Sequence, residues 1–206
     1  MNNPILDYQS RIEHGDIMAC NKIYKVYKHL AEKIKNPDQF YYSKERADHV
    51  VNFFEKYLHH SKGKLGGQRV TLELWQKAML SAQFGFVDDN ELRQYQRCIL
   101  IVGKKNGKSF LSSGEGLYLL AADGEAGPDV VSCATKREQA KIIWDESRRM
   151  RNKSPALAKR IMATINELRC DANDGTFKAL ASDSNTMDGL NVHGALMDRF
   201  CPLCQQ

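Results

Sequence analysis

A loop rich in glycine and lysine, preceded by an apolar run, contains the residues of this sequence best suited to chemistry. Residues 97–102 are apolar after Arg97, which predicts a buried strand, and the loop that follows ends in Gly107-Lys108-Ser109. Such a loop can turn its backbone N–H groups inward, and a helix that begins at Lys108 directs the positive end of its dipole at a bound anion. Lys108 would then reach the β- and γ-phosphates of a nucleotide, and the Ser109 hydroxyl would bind Mg²⁺. The predicted phosphate-binding residues are Gly103, Lys105, Asn106, Gly107, Lys108 and Ser109.

The loop departs from the usual phosphate-binding spacing at one position. In the pattern G-x-x-x-x-G-K-[ST] the first glycine would fall on Val102, and Gly103 comes one place later. The alternative is a simple strand-to-helix turn with solvated lysines. Gly107, Lys108 and Ser109 supply three of the four defining residues, and a predicted strand and helix flank them. Phosphate binding is therefore the favoured interpretation.

A carboxylate near the end of the chain is the second candidate for the site. Ala195-Leu196-Met197 is a short apolar run that predicts a strand, and Asp198 follows it. A carboxylate at such a strand end can complete the coordination shell of Mg²⁺, and hydrolysis usually needs a second carboxylate to activate water. Arg199 stands at the next position. We therefore predict Lys108 and Asp198 as catalytic groups and assign no residue as the water-activating carboxylate.

The elements around these residues alternate between strand and helix. The strand over 97–102 precedes a helix predicted over 108–121, a strand over 129–134 and a second helix. A hairpin is predicted over 167–180, because Asn-Asp-Gly forms a turn between two short apolar runs. This order predicts an α/β fold, with a P-loop NTPase-type parallel sheet flanked by helices and ligands bound at the carboxyl ends of the strands.

The N-terminal part of the chain is predicted to be helical, with one helix capped by Asp16 and another capped by Ser43. Residues 59–67 are polar and rich in glycine, which predicts a linker or an exposed loop. Two adjacent histidines in this loop lack a further ligand at a metal-binding spacing, so a solvated loop is favoured over a metal site. The expected organisation is a small helical region over 1–62 and a P-loop ATPase domain over 63–206.

The composition is that of an ordinary globular protein. Of 206 residues, 42% are hydrophobic and 27% are charged, and the net charge is +5. No apolar run is long enough to cross a membrane, and the N-terminus lacks the charged and apolar segments of a signal peptide. We therefore expect a cytoplasmic protein without a membrane partner. The mild positive charge permits contact with nucleic acid without requiring it.

Three distinctive segments occur in a fixed order along the chain: Leu74-Trp75-Gln76-Lys77, the variant loop 102–109, and Asp188-Gly189-Leu190-Asn191. In this order they resemble the ATPase domain of the large terminase subunit of tailed bacteriophages. The resemblance implies that Gln76 contacts adenine, through an amide that can both donate and accept hydrogen bonds. It also implies that Lys104 has a catalytic role at the γ-phosphate; the family has arginine at this position. Asp198 is implied to have a catalytic role as a ligand of Mg²⁺.

The resemblance implies that the chain binds ATP with Mg²⁺ and hydrolyses it to power the packaging of double-stranded phage DNA into capsids. It further implies the terminase small subunit and the portal protein as partners, an oligomer on the portal, and a location in the host cytoplasm. Arg199 departs from the family, which has glutamate there, and the resemblance is expected to end at this residue, before the family's nuclease domain. These departures predict a truncated or frameshifted chain that binds nucleotide with weak or no turnover.

Two other functions remain open on the sequence alone. A fragment of another P-loop enzyme, such as a helicase or a small-molecule kinase, would carry the same loop and the same alternation of strands and helices. A non-catalytic module that binds DNA or phage packaging proteins through its helical face would not need Lys108 to act on a nucleotide. Nucleotide binding separates the second of these functions from the others.

Overall fold

The computed structural model describes most of the chain, namely residues 3–103, 105–134, 136–181 and 191–197. The chain divides into two compact units, Met1–Glu55 with Thr71–Leu100 and Lys56–Val70 with Ile101–Gln206. The predicted boundary near residue 63 lies within a segment of the second unit, and the domain limits 1–62 and 63–206 stay a prediction.

Six elements begin in the first unit. They are α1 (Pro4–Glu13), α2 (Asn21–Lys35), β1 (Tyr41–Tyr42), α3 (Lys44–Tyr57), α4 (Leu74–Gly85) and β2 (Phe86–Val87). Ser43 caps α3 as predicted, because its Oγ accepts a hydrogen bond from the N–H of Arg46 at 3.3 Å. The helix predicted to start after Asp16 is wrong at its start. The chain turns at Gly15, whose φ is 81°, and α2 begins only at Asn21.

An apolar cluster in the first unit joins side chains from α1, α2, α4 and β2. Its buried members are Ile5, Tyr27, Leu30, Ala78 and Phe86. Each large apolar side chain buried in this way contributes on the order of 1.5–3 kcal/mol to folding. The cluster fixes α4, the helix that carries Gln76, within this unit.

The described residues of the second unit are built around a five-stranded sheet. Its elements are α5 (Lys108–Ala121), β3 (Asp129–Ala134), α6 (Arg137–Lys153), α7 (Pro155–Arg160), β4 (Ile161–Ala163), β5 (Glu167–Cys170), β6 (Gly175–Ala181) and β7 (Val192–Met197). The strand order is β4-β5-β6-β3-β7. Strands β6, β3 and β7 run parallel, whereas the pairs β4–β5 and β5–β6 are antiparallel. The predicted α/β fold with a helix-flanked sheet is confirmed. The sheet is mixed because β5, the first strand of the predicted hairpin, runs antiparallel to both of its neighbours, β4 and β6.

The strand predicted over 97–102 does not form in the described structure. These residues are assigned to no strand, and the side chains of Ile99 and Ile101 are 68% and 86% exposed. An apolar run has a strand-like composition, but it becomes a strand only when a neighbour supplies the hydrogen-bond ladder. The five positions of the described sheet are taken by other segments.

Hydrogen bonds from buried side chains hold α6 against the sheet. The indole Nε1 of Trp144 donates to the carbonyl oxygen of Phe177 on β6 at 3.0 Å. The Oγ of Ser132 on β3 donates to the carbonyl oxygen of Ala140 at 2.9 Å. Because Trp144 is 2% exposed and Ser132 is fully buried, these bonds satisfy groups that would otherwise be costly to bury.

The helices of the described residues are moderate in length. The longest is α6, which has 17 residues, many of them charged. In the described part of the chain no helix combines the length and the apolar character that a membrane span requires.

Candidate nucleotide-binding site

The loop before α5 has a backbone conformation suited to an anion. Lys105 and Gly107 lie in the left-handed region, with φ of 68° and 77°, on either side of Asn106. Alternation between left-handed and right-handed residues turns successive N–H groups towards one side of the chain. The Nδ2 of Asn106 donates to the carbonyl oxygen of Gly103 at 3.3 Å and so closes the loop. A left-handed conformation is about 1–2 kcal/mol less favourable than a right-handed one for a lysine. Its presence at Lys105 indicates that the loop requires this backbone shape.

The first turn of α5 presents donors and positive potential. The helix begins at Lys108, as predicted, and its N-cap residue Gly107 has no side chain with which to bind the first N–H groups. The first turn contains no acidic residue. The earliest bond of the helical ladder joins the N–H of Leu111 to the carbonyl oxygen of Gly107 at 2.9 Å. The N–H groups of Lys108, Ser109 and Phe110 therefore precede the ladder and carry the positive end of the helix dipole.

Close packing on the sheet positions α5. A Cβ placed on Gly116 would lie 2.7 Å from Phe177 on β6 and 2.8 Å from Leu196 on β7. A Cβ on Gly194 of β7 would lie 2.5 Å from the side chain of Leu119. Because both positions are glycine, helix and sheet approach more closely than side chains would allow.

Two buried hydroxyls join α5 to α6. Ser113 Oγ donates to the carbonyl oxygen of Ile143 at 3.0 Å, and Ser147 Oγ donates to the carbonyl oxygen of Ser113 at 3.0 Å. Both serines are fully buried. These directional bonds fix how far one helix can slide along the other, and they lie one turn beyond the candidate site.

The predicted loop residues lie together at the start of α5. Lys108 and Ser109 are half-buried, and Gly103, Lys105 and Asn106 are exposed. Lys104 and Asp198 lie outside the described residues. The last described residue of β7 is Met197, so the prediction for Asp198 stays a prediction.

Ser109 is the described residue that best fits Mg²⁺. Its hydroxyl is a hard oxygen ligand at the helix start, and magnesium at nucleotide sites takes only one or two protein oxygens beside phosphate and water. Among the described residues there is no group of three or more His, Cys, Asp or Glu side chains that could hold a metal by themselves. A single serine is consistent with an ion bound mainly through phosphate.

Gln76 lies in the first unit, whereas the loop belongs to the second. Gln76 is only 9% exposed, and its side-chain Oε1 accepts a hydrogen bond from the backbone N–H of Glu73 at 2.9 Å. Glu73 and Gln76 form a capping box at the start of α4. Gln76 is therefore not a freely solvated surface residue. The box also fixes the orientation of the amide and leaves its NH₂ group as the donor end.

His60 is a residue near the site that sequence reasoning missed. Its ring stacks on Phe110, with centroids 5.2 Å apart and an angle of 17° between the planes. Phe110 directly follows Ser109. Most of the loop 59–67 is exposed as expected, but His60 is half-buried by this contact. No sequence pattern signals it, because the two residues are far apart in the chain.

Comparison with known proteins places these elements in a family. Residues 74–205 match the family described as the terminase large subunit, ATPase domain. The chain is 29% identical over 159 residues to the terminase large subunit of Enterobacteria phage HK97, across 74% of this chain and 30% of that protein. The crystal structure of the HK97 bacteriophage large terminase is similar with a TM-score of 0.62 and 28% identity, across 75% of this chain and 31% of that one.

The extent of these matches refines the sequence interpretation. The chain spans about a third of the length of the relatives that it matches. The family match continues to residue 205, so the expectation that the resemblance ends at Arg199 is wrong. The match begins at residue 74, in α4, and includes Gln76, the loop and the five described strands of the second unit. By this match the chain belongs to the family of terminase large subunit ATPase domains.

Proposed function

We propose that the chain binds ATP through the loop 103–109 and the first turn of α5. The observation that carries this proposal is the pair of left-handed residues, Lys105 and Gly107, directly before a helix start without an acidic side chain. In this role the N–H groups from Lys105 to Ser109 donate to phosphate oxygens. The Lys108 ammonium group neutralises charge on the β- and γ-phosphates, and we assign to Lys104 a role at the γ-phosphate.

Mg²⁺ is the proposed cofactor, held by Ser109 and Asp198. When bound, it neutralises phosphate charge and favours attack at the γ-phosphate. The contribution of the chain is to hold the Ser109 hydroxyl at a fixed place, since α5 is packed tightly against the sheet through Gly116.

We assign recognition of the base to Gln76. The capping box holds its Oε1 towards the N–H of Glu73, so the NH₂ end has a defined direction. An NH₂ group can donate to a ring nitrogen of adenine, and the second lone pair of Oε1 can accept from the exocyclic amine. Gln76→Glu keeps the acceptor that caps α4 but removes the donor, and this change isolates base recognition from helix capping.

We further propose that the chain turns ATP over weakly. Hydrolysis needs a group that activates water, and Arg199 occupies the position after Asp198 where a carboxylate would serve. An arginine carries a permanent positive charge and cannot act as a base at neutral pH. Introducing the carboxylate by Arg199→Glu should therefore raise the rate of phosphate release.

The biological role that we propose is that of a motor domain for packaging double-stranded phage DNA, with the small subunit and the portal protein as partners. Membership of the terminase large subunit ATPase-domain family supports this role. If DNA contacts are mainly to phosphates, binding should weaken steeply as salt concentration rises.

Calorimetric titration with ATP and Mg²⁺ tests the binding proposal. Lys108→Ala should weaken binding by at least about tenfold, since a charge-assisted contact to phosphate contributes about 1.5–3 kcal/mol. Lys153→Ala, which removes an exposed lysine from the same unit, serves as the matched control and should bind like the unmodified chain. Absence of ATP and ADP binding would favour a non-catalytic interaction module instead.

Phosphate release measured on the same variants tests turnover. We expect a low rate for the unmodified chain, a higher rate for Arg199→Glu and none for Arg199→Glu combined with Lys108→Ala. Fast turnover by the unmodified chain that Lys108→Ala abolishes would refute the weak-turnover proposal while leaving the binding proposal intact.

A further inference from the structure

The segment from residue 59 to residue 69, here called the strap, forms a closed loop within the second unit. Its ends are joined by an antiparallel bridge between His59 and Arg69. Inside the strap the N–H of His60 donates to the carbonyl oxygen of Gln68 at 2.9 Å. The N–H of Gly67 donates to the carbonyl oxygen of His60 at 2.8 Å. Buried residues flank it on both sides, since Leu58 and Val70 are 0% and 2% exposed. The strap is therefore ordered by its own backbone bonds.

The strap is attached to two helices. At α5, the His60 ring lies flat against the ring of Phe110 at 5.2 Å. At α6, the hydroxyl of Ser61 donates to Glu146, and the Nζ of Lys62 lies 3.7 Å from the Oε2 of the same residue. The Glu146 side chain is only 15% exposed, so this attachment is partly shielded from solvent. Both attachments lie within the second unit.

We propose that the strap holds the first turn of α5 in its anion-binding conformation, with His60 as a positioning residue that acts through Phe110. The inference rests on the proposed function, because the ligand positioned is the phosphate chain of a nucleotide. Phe110 follows Ser109 directly, so a fixed Phe110 ring limits the motion of the Ser109 backbone and hydroxyl. Helix ends fray when nothing outside the helix restrains them, because a first turn has fewer intrahelical hydrogen bonds than the turns that follow.

The strength of the stacking between His60 and Phe110 determines how much nucleotide affinity should change when it is lost. A stacked pair of aromatic rings contributes about 0.5–1.5 kcal/mol beyond its buried area, which corresponds to about a two- to tenfold change in affinity if the whole restraint is lost. His60→Ala should therefore weaken binding of both ATP and ADP by about two- to tenfold. His60→Tyr keeps a planar ring at this position and should restore the affinity.

His59→Ala is the matched control. His59 is the neighbouring residue of the same loop, and its Nδ1 lies 3.3 Å from the carbonyl oxygen of Tyr57 rather than against Phe110. We expect it to leave nucleotide affinity unchanged. Thermal unfolding of all three variants shows whether an effect on affinity merely follows a loss of global stability.

Hydrogen exchange without nucleotide supplies a second measurement that does not depend on ligand binding. The N–H of Leu111 is the first to join the α5 ladder, so its protection reports the order of the first turn. His60→Ala should speed exchange of the Leu111 N–H, whereas His60→Tyr and His59→Ala should not.

The outcomes separate the two proposals. If the unmodified chain binds ATP and His60→Ala changes neither affinity nor exchange, the positioning role is overturned and nucleotide binding stands. The same holds if His59→Ala weakens affinity and speeds exchange as much as His60→Ala does. If the unmodified chain binds neither ATP nor ADP, the proposed function fails and the role of His60 towards a nucleotide fails with it. Reduced affinity and faster exchange in His60→Ala alone, restored by tyrosine, would support the inference.

Discussion

His193 on β7 and Asp123 at the end of α5 form a close polar contact, with Nε2 and Oδ2 2.6 Å apart. Their side chains are only 14% and 7% exposed. The contact lies at the end of α5 away from the candidate site, so the helix is restrained at its far end by the strand that leads towards Asp198.

Removing the carboxylate should therefore destabilise the fold. Asp123→Ala leaves a shielded imidazole without this partner, which costs about 1–3 kcal/mol. Denaturant unfolding followed by circular dichroism measures the loss. Asp171→Ala removes a carboxylate of the same unit that is 62% exposed, and we expect it to be nearly neutral. Equal effects from the two changes would argue against the importance of the contact.

Gly116→Ala should also destabilise the second unit, although alanine is the better helix former. Alanine favours a helix over glycine by about 1 kcal/mol. The added Cβ would meet Phe177 and Leu196 at 2.7 and 2.8 Å, and overpacking of a core costs about 1–3 kcal/mol. Thermal unfolding should show a lower midpoint. Ser112→Ala, at a half-buried position of the same helix, tests propensity without the clash, and a higher midpoint for Gly116→Ala would refute the packing argument.

The pair formed by Lys33 and Asp38 predicts a pH dependence in the first unit. Lys33 Nζ lies 2.5 Å from Asp38 Oδ2, and this hydrogen bond lowers the pKa of Asp38 below its ordinary value of 3.8. A carboxylate with a lowered pKa contributes stability above its unfolded-state pKa and loses it as the pH falls through the folded-state pKa. Asp38→Asn should therefore lower the unfolding midpoint at pH 7, and the difference should shrink below about pH 4.

Asp48→Asn is the control for this experiment. Asp48 pairs with Lys44 one turn away on the surface of α3, and the Lys44 side chain is 56% exposed, whereas that of Lys33 is 7% exposed. Exposed pairs of this kind contribute little to stability. If the difference in unfolding midpoint between Asp38→Asn and the unmodified chain stays constant from pH 7 to pH 3, the pair does not cause the predicted pH dependence.

Cysteine reactivity should follow burial. Cys20 is exposed, whereas burial raises the pKa of the Cys133 thiol on β3. The thiolate is the reactive form, so a raised pKa lowers the reactive fraction at neutral pH. Alkylation followed by mass spectrometry at pH 7.5 should label Cys20 much faster than Cys133, and raising the pH should narrow the gap. Labelling of Cys133 at the rate of Cys20 would refute this prediction.

Local sequence signals predicted the elements that carry the candidate loop. The helix over 108–121 and the strand over 129–134 have the predicted limits, because the first follows a glycine and the second is bounded by turn residues. The strand predicted over 97–102 is wrong. A strand forms only beside a neighbouring strand, and the apolar residues of this segment do not specify which segment would pair with them.

The finer features of the site depend on contacts that sequence spacing does not reveal. The left-handed conformation of Lys105 is unusual for a lysine, and the stacking of His60 on Phe110 joins distant parts of the chain. The role of Gln76 in capping was within reach, because Glu73-x-x-Gln76 places an acceptor and an amide at capping-box spacing.

The buried indole of Trp144 has a practical consequence. The chain contains two tryptophans, Trp75 on α4 of the first unit and Trp144 on α6 of the second. Each compact unit therefore carries one tryptophan, which can be excited selectively at wavelengths where tyrosine absorbs little. Replacing either tryptophan by phenylalanine leaves a signal from a single unit, so emission spectra can follow the unfolding of each unit separately and reveal whether the two lose their structure in one step or in two.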